Sequence, residues 1–205
     1  MSAGRGRLIA LEGGEASGKS TQARALATSL GALLTHEPGG TDIGRRVRAV
    51  VLAPDLADLD ARAEALLMAA DRAQHVAEVI EPALARGTDV VTDRFAGSSL
   101  AYQGFGRGLD VEEMRRLSAW AARGLEPDLV VLLDVPLEVA ARRRTSVDDR
   151  MEAEDAAFHA RVADGYRALA AAEPDRWVVV DGTGPPDDVT ERVSKAVAQR
   201  LDARA

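Results

Sequence analysis

Apolar residues along this chain fall into five short runs, which are separated by longer segments with helical periodicity. The runs cover residues 8–11, 32–35, 90–92, 129–133 and 177–180. Uninterrupted apolar runs of this length are typical of strands that are buried on both faces of a parallel sheet. Their alternation with helical segments predicts an α/β fold, with a five-stranded parallel sheet and helices on both faces.

The segments between these runs predict the helices. Residues 21–30 are rich in Ala and Leu and predict a helix, and a final helix is expected over about residues 187–201. Residues 59–86 are too long and too rich in Ala for a loop, so we expect one long or two consecutive helices, with Pro82 near a turn or kink. A chain of 205 residues with 46% hydrophobic residues suits a single domain over residues 1–205.

A glycine-rich loop lies between the first predicted strand and the first predicted helix. Its sequence fills every fixed position of the pattern G-x-x-x-x-G-K-[ST]. In such a loop, backbone N–H groups bind phosphate oxygens, the lysine reaches the β- and γ-phosphates, and the hydroxyl binds Mg²⁺. We therefore predict a nucleotide site with Mg²⁺, to which an ordinary glycine-rich turn is the alternative. Its residues are Gly13, Gly14, Glu15, Ala16, Ser17, Gly18, Lys19, Ser20 and Thr21.

Polar residues also follow the second and third predicted strands. Ligands of parallel α/β sheets bind beyond the carboxyl ends of the strands, where Glu37, Asp93 and Arg94 stand in this chain. Asp93 is suited to hold Mg²⁺ together with Ser20, and Arg94 is suited to a second phosphate. Pro38 is a candidate for a cis peptide bond that aims Glu37. An ordinary turn at Glu37 and a surface ion pair or helix cap at Asp93 are the alternatives.

A cluster of arginines predicts a lid over about residues 142–152. Phosphoryl transfer needs cations that neutralise the transferring group, and the variable positions of the glycine-rich loop supply none. We therefore expect Arg142, Arg144 and Arg150 to act with Lys19 and Arg94 as catalytic residues, whereas the neighbouring Arg143 is expected to point outward. The alternative is a solvated basic helix end.

Composition and charge narrow the choice of partners. The formal net charge of −7 disfavours general binding to nucleic acid or to a membrane surface, so we expect small-molecule substrates. The chain has no Cys, which excludes disulfides and thiolate metal sites. No apolar run reaches the length of a signal or membrane segment, so we expect a cytoplasmic protein. Only Lys19 and Lys195 are lysines among 26 basic residues, so the positions of the arginines are informative and their number is not.

These motifs together resemble the thymidylate kinases. The resemblance runs from about residue 8 to residue 176, and its landmarks in order are Glu12-Gly13, residues 37–41, residues 69–75, Asp93-Arg94-Phe95, residues 98–104 and residues 149–152. The resemblance implies a homodimeric enzyme that transfers the γ-phosphoryl group of ATP, as its Mg²⁺ complex, to thymidine monophosphate (dTMP). The products would be ADP and thymidine diphosphate (dTDP).

The resemblance also implies roles for particular residues. Arg94 would hold the acceptor phosphate, Arg72 would contact the thymine edge, and Tyr102 would crowd the 2′ position of the sugar. Met68 stands where the family usually has a phenylalanine that stacks on thymine, although simple core packing is an equal reading of Met68. His36 stands where the family commonly has an arginine. The implied dTMP-binding residues are Glu15, Glu37, Met68, Arg72, Arg94, Ser99, Tyr102 and Gln103.

Two other functions fit parts of the sequence. A deoxynucleoside kinase would use a carboxylate to accept the proton of a sugar hydroxyl, and Glu37 or Asp93 could do so. Arg94 distinguishes the two kinases, because an uncharged nucleoside does not need it. A nucleotide-dependent switch protein is the third reading, but such proteins usually carry an Asn-Lys-x-Asp segment, and neither lysine lies in one.

Overall fold

A central parallel sheet organises the fold of the protein, for which we analysed a computed structural model that describes residues 4–143 and 149–202. Its five strands are β1 (Leu8–Glu12), β2 (Leu33–His36), β3 (Val90–Asp93), β4 (Leu129–Asp134) and β5 (Trp177–Asp181). They pair in parallel in the order β2-β3-β1-β4-β5. This confirms the predicted α/β fold.

Every strand ends one residue later than its apolar run predicts. The additional residues are all polar, namely Glu12, His36, Asp93, Asp134 and Asp181. Backbone pairing continues past the apolar run because a side chain at the carboxyl edge of the sheet no longer has to enter the core. Pairing of His36 with Asp93 and of Leu11 with Asp93 brings these strand ends to one edge.

Helices cover the sheet. The segment predicted as one or two helices forms a helix over Ala61–His75, a π-helical turn over Val76–Ile80 and a short helix over Glu81–Ala85, with Pro82 in the first turn of the last. A second π-helical turn, Leu100–Gly106, follows the short helix Ala96–Ser99. Within the described ranges, no helix is both long and apolar enough to cross a membrane. The helices are α1 (Lys19–Leu30), α2 (Asp42–Val51), α3 (Ala61–His75), α4 (Glu81–Ala85), α5 (Ala96–Ser99), α6 (Val111–Ala121), α7 (Leu137–Arg143), α8 (Ala156–Ala172) and α9 (Pro186–Asp202).

The core has one apolar layer on each face of the sheet. Successive residues of a strand point to opposite faces, so Leu8 packs into the layer that contains Phe158 and Tyr166, whereas Ile9 packs into the layer that contains Leu26 and Val193. All residues of β1 are buried because strands and helices surround it. The central strand is therefore a fixed support for the loop that follows it.

Candidate active site

The glycine-rich loop connects the central strand to the first helix. Gly13 and Gly18 have φ angles of 148° and 93°, and a Cβ on Gly13 would lie 2.7 Å from the carbonyl oxygen of Leu133. Glycine meets both demands because it tolerates positive φ and close backbone approach. Lys19 begins α1 directly after the loop, so the amino end of that helix borders the cleft beside it.

Lys19 is folded back onto the loop. Its Nζ donates hydrogen bonds to the carbonyl oxygen of Gly14 at 2.6 Å and to Oγ of Ser17 at 3.3 Å. Burial and the nearby charge of Arg94 lower the pKa of Lys19 to about 8, although Glu15 and other carboxylates oppose this shift. An anionic group in the loop would supply the countercharge that this ammonium group needs in its buried position.

Ser20 and Asp93 meet across the cleft in a way that suits a hydrated Mg²⁺ ion. Oγ of Ser20 donates to Oδ2 of Asp93 at 2.5 Å, and Oδ1 of Asp93 is buried without a hydrogen-bond partner in the described part of the chain. The described residues contain no cluster of three or more His, Cys, Asp and Glu side chains that could hold a metal. Mg²⁺ commonly binds through one or two protein carboxylates, several waters and the substrate phosphates. The free carboxylate oxygen and the hydroxyl therefore fit this ion.

Arg94 joins the loop to the other half of the site. Its φ angle of 73° lies in the left-handed region, which is uncommon for a residue with a side chain. Its guanidinium donates to Oε1 of Glu15 at 2.6 Å and to Oη of Tyr102 at 3.2 Å. Further bonds reach the carbonyl oxygen of Gly13 and the hydroxyl groups of Ser98 and Tyr166.

The ion pair also fixes the charge state of Glu15. Burial alone would raise the pKa of Glu15, but the positive charges of Arg94 and Lys19 outweigh burial and lower it to about 2. Tyr102 donates to the same carboxylate oxygen at 2.6 Å. Glu15 is therefore ionised at physiological pH and forms an ion pair with the guanidinium of Arg94.

Glu12 holds the segment that follows Arg94. This fully buried carboxylate accepts hydrogen bonds from the backbone N–H groups of Phe95 and Ser98 at 3.0 and 3.1 Å. It also accepts from the hydroxyl groups of Ser98 and Tyr166 at 2.6 and 3.1 Å. Burial raises the pKa of Glu12, and these donors oppose the shift. Sequence reasoning identified Glu12 only as a landmark and missed Ser98 and Tyr166, although a charged residue that ends an apolar strand is a usable signal.

Glu37 and Arg72 form a buried ion pair on the far side of the cleft. Nε of Arg72 donates to Oε2 of Glu37 at 2.9 Å, and Nδ1 of His75 lies 2.9 Å from Oε1 of the same carboxylate. Arg72 also donates to Oγ of Ser99 at 3.1 Å. The peptide bond between Glu37 and Pro38 is cis, as the sequence suggested. Three predicted dTMP-binding residues thus form one connected network.

Two spaces meet at Arg94. A cleft of about 590 Å³ is lined by the glycine-rich loop, Ser20, Asp93 and Glu37. A smaller space of about 70 Å³ is lined by Met68 and Tyr102, and we call it the acceptor pocket. Glu15, Arg48 and Arg94 border both spaces; of these, Arg48 was missed by sequence reasoning. The remaining residues of the acceptor pocket are Pro38, Leu52, Ser98, Asp149 and Met151.

Gln103 and His36 do not take the places that the family resemblance implies. Gln103 is fully buried and donates to Oε1 of Glu64 at 2.7 Å, so it does not line the acceptor pocket. His36 lines the cleft, and burial together with Arg48 lowers its pKa, so it does not replace the cation that the family commonly has there.

The lid prediction needs correction at two arginines. Arg143 does not point outward, because it donates to the carbonyl oxygens of Gly182 and Gly184 at 2.9 and 3.3 Å. Arg150 is buried against Glu64 and the carbonyl oxygen of Val51, and its side chain lines neither the cleft nor the acceptor pocket. Its predicted contact with the phosphates is therefore wrong for this conformation. Arg142 is exposed in the last turn of α7, and Arg144 lies outside the described residues.

The parallel sheet, the glycine-rich loop with its lysine, and the Ser20–Asp93 pair define a P-loop nucleotide-binding protein. A family model for thymidylate kinase matches residues 11–193. The chain is 48% identical over 207 residues to the thymidylate kinase of Solidesulfovibrio magneticus, and the match covers 94% of this chain and 99% of that relative. It is 50% identical over 207 residues to the thymidylate kinase of Leifsonia xyli subsp. xyli, covering 97% and 96%. The chain therefore belongs to the thymidylate kinase family.

Asp71 makes the stability of the site depend on pH. Its Oδ1 accepts from the backbone N–H of Gly39 at 2.9 Å, while Oδ2 is buried without a partner in the described ranges. Burial and the negative charge of Glu37 raise the pKa of Asp71 to about 6, above its ordinary value of 3.8. The folded protein thus binds more protons than the unfolded chain between these two values. The contribution of Asp71 to the free energy of unfolding therefore falls as pH rises through this window.

We expect Asp71→Asn to remove this loss of stability at higher pH, because an uncharged amide oxygen can still accept the hydrogen bond from the backbone N–H of Gly39. At pH 7 the variant should be more stable than the wild type by up to about 3 kcal/mol, and the difference should vanish near pH 4. Urea unfolding between pH 4 and 7 measures both, with the exposed Asp58→Asn as the matched control. A difference that does not change with pH would contradict this explanation.

Proposed function

We propose that this protein transfers the γ-phosphoryl group of ATP to dTMP. A phosphate oxygen of dTMP forms a bond to the γ-phosphorus, the bond from that phosphorus to the β,γ-bridging oxygen breaks, and ADP leaves with the electron pair. The products are ADP and dTDP. The position of Arg94 carries the proposal, because this guanidinium borders both the cleft of the glycine-rich loop and the acceptor pocket.

The cleft has the charges that this reaction requires. The acceptor phosphate is already anionic and nucleophilic at neutral pH, so no general base is needed and the protein must bring two anions together. Lys19 would contact the β- and γ-phosphates, and Arg94 would contact the acceptor phosphate. Glu15 now pairs with Arg94 at 2.6 Å, so we infer that the acceptor phosphate competes with this carboxylate for the guanidinium.

Mg²⁺ belongs to the proposal as the partner of the ATP phosphates. Ser20 and Asp93 would hold it, directly or through water, and the ion would neutralise charge on the β- and γ-phosphates. Oδ1 of Asp93, which has no hydrogen-bond partner among the described residues, supports this role. A carboxylate that holds the metal is not free to accept a proton, so Asp93 would not act as a general base for a sugar hydroxyl.

The acceptor pocket supports a thymine nucleotide as the second substrate. Met68 is only partly buried and lines the pocket, which favours contact with the base over simple core packing. Tyr102 lines the same pocket beside Arg94, where it would limit space near the sugar. Arg72 and Ser99 would support the base edge from their buried network. Gln103 would act through Glu64, since it does not reach the pocket.

We also propose that the protein is a homodimer. A groove between α3 and α6 is lined by Leu66, Met114 and Leu117, and the side chain of Leu66 is 59% exposed. Trp120, one helical turn beyond Leu117, is 80% exposed. Large apolar side chains at this exposure are typical of surfaces that bind another protein. A cytoplasmic location stays a prediction from the sequence.

The acceptor assignment predicts a specific effect of Arg94→Ala. We expect kcat/KM for dTMP to fall by about a thousandfold, because the acceptor phosphate loses its cation, while KM for ATP changes by less than about threefold. ADP release measures this with dTMP, other nucleoside monophosphates and thymidine as acceptors, and Arg86→Ala, an exposed change at the end of α4, serves as control. Turnover of thymidine alone, or unchanged turnover of dTMP by Arg94→Ala, would refute the proposed reaction.

The dimer has its own test. Sedimentation velocity of the wild type should give twice the mass of one chain. Leu66→Arg should shift the population toward the monomer, because a buried guanidinium without a partner is unfavourable at an apolar interface. Leu56→Arg changes an exposed leucine outside the groove and should leave the mass unchanged. A monomeric wild type at micromolar concentration would contradict the proposal.

A further inference from the structure

Glu64 is a buried carboxylate that lines neither the cleft nor the acceptor pocket. It lies on α3, is fully buried, and forms ion pairs with two guanidinium groups. Nη2 of Arg107 is 3.0 Å from its Oε2, and Nη2 of Arg150 contacts the same oxygen. Gln103 donates to Oε1. Burying one anion with two cations costs desolvation of all three groups, so the cluster is an expensive way to stabilise a core.

The partners of Arg150 show which segments the cluster connects. Its Nε donates to the carbonyl oxygen of Val51 at 3.1 Å. Its backbone N–H donates to the carbonyl oxygen of Leu52 at 3.3 Å. Arg150 therefore ties its own segment to the end of α2, while its pair with Glu64 ties the same segment to α3. Three separate parts of the chain meet at one guanidinium.

The residues beside Arg150 form a wall of the acceptor pocket. Asp149 and Met151 line that pocket on either side of Arg150 in the sequence, and Leu52 lines it from the end of α2. Met68 lies four residues after Glu64 on α3, so both side chains lie on one face of the helix. The Glu64–Arg150 pair thus connects the wall formed by Asp149 and Met151 to α3, whose Met68 lines the same pocket.

We propose that Glu64 is a positioning residue for the acceptor substrate. Through Arg150, it fixes Asp149 and Met151 at the distance from Met68 that a pyrimidine nucleotide requires. The inference rests on the proposed function, because it concerns the acceptor pocket of that reaction. It also gives Arg150 a role in the conformation described, in which its guanidinium holds the pocket wall and does not contact the phosphates.

Glu64→Gln tests the inference, since it keeps the size of the side chain and removes the charge that holds Arg150. We expect KM for dTMP to rise about tenfold, while KM for ATP and kcat stay within about threefold of the wild type. A purely structural role would instead lower the active fraction, which reduces kcat and leaves both KM values unchanged. Glu154→Gln is the matched control. Oε1 of Glu154 lies 2.5 Å from Nη1 of Arg107, so this change also removes a carboxylate partner of Arg107 but leaves the Glu64–Arg150 pair intact.

Two more variants keep the test decisive. Glu64→Asp retains the charge but withdraws it by one methylene, so it should fold even where Glu64→Gln does not, and it should raise KM for dTMP in the same direction. Arg150→Met should raise KM for dTMP by a similar factor. The double variant Glu64→Gln with Arg150→Met should raise KM little beyond the more impaired single variant, because both changes break the same Glu64–Arg150 ion pair.

The outcomes separate this inference from the proposed reaction. A wild type that does not turn over dTMP would overturn the proposed function. If the wild type is active but both Glu64 variants keep KM for dTMP within about twofold, the positioning role is wrong. A large loss of kcat in Arg150→Met, with KM for dTMP unchanged, would also overturn the inference and return Arg150 to the phosphates.

Discussion

The bond between the guanidinium of Arg94 and the carboxylate of Glu15 connects the two halves of the site. Glu15 belongs to the loop after the central strand, and Arg94 follows the neighbouring strand β3. Because Arg94 also donates to the carbonyl oxygen of Gly13, the loop cannot take another conformation without losing bonds to this one side chain. The left-handed backbone of Arg94 and the bonds of Glu12 to the next residues keep the guanidinium in place. The alignment of donor and acceptor in the proposed reaction depends on this arrangement.

Buried carboxylates recur as the supports of the cleft. Glu12 holds the segment after β3, Glu37 holds Arg72 and His75, and Glu64 holds Arg107 and Arg150. Each lies below 6% exposure and is satisfied by cations or several hydrogen-bond donors. Such groups add little net stability compared with apolar packing, but the loss of one partner is costly, so they specify one arrangement of the surrounding segments. An enzyme that must bring two anions together benefits from a cleft whose surrounding segments are held so firmly.

Local patterns predicted the sheet and the glycine-rich loop because both depend on residues that are close in the sequence. Apolar runs determine which residues are buried, and the loop needs glycine at fixed positions whatever surrounds it. The partners of Arg150, Gln103 and Arg143 could not be predicted in this way. Glu64 is 86 residues from Arg150 and 39 from Gln103, and Arg143 reaches carbonyl oxygens beyond β5. An arginine on a lid and an arginine in a buried ion pair look alike in sequence, and only the packing of α3 against the acceptor pocket distinguishes them.

We propose that Arg94 binds the acceptor phosphate, and that Glu15 occupies its guanidinium when no acceptor is bound. Titration calorimetry of the unmodified protein with dTMP and with thymidine, each without ATP, tests it most directly. The two ligands share base and sugar and differ by the phosphate that would displace Glu15 from Arg94. The account predicts that dTMP binds about a hundredfold more tightly than thymidine, with an advantage that decreases as salt concentration rises. Equal affinities for the two ligands would contradict it, because the phosphate of dTMP would then add nothing to binding.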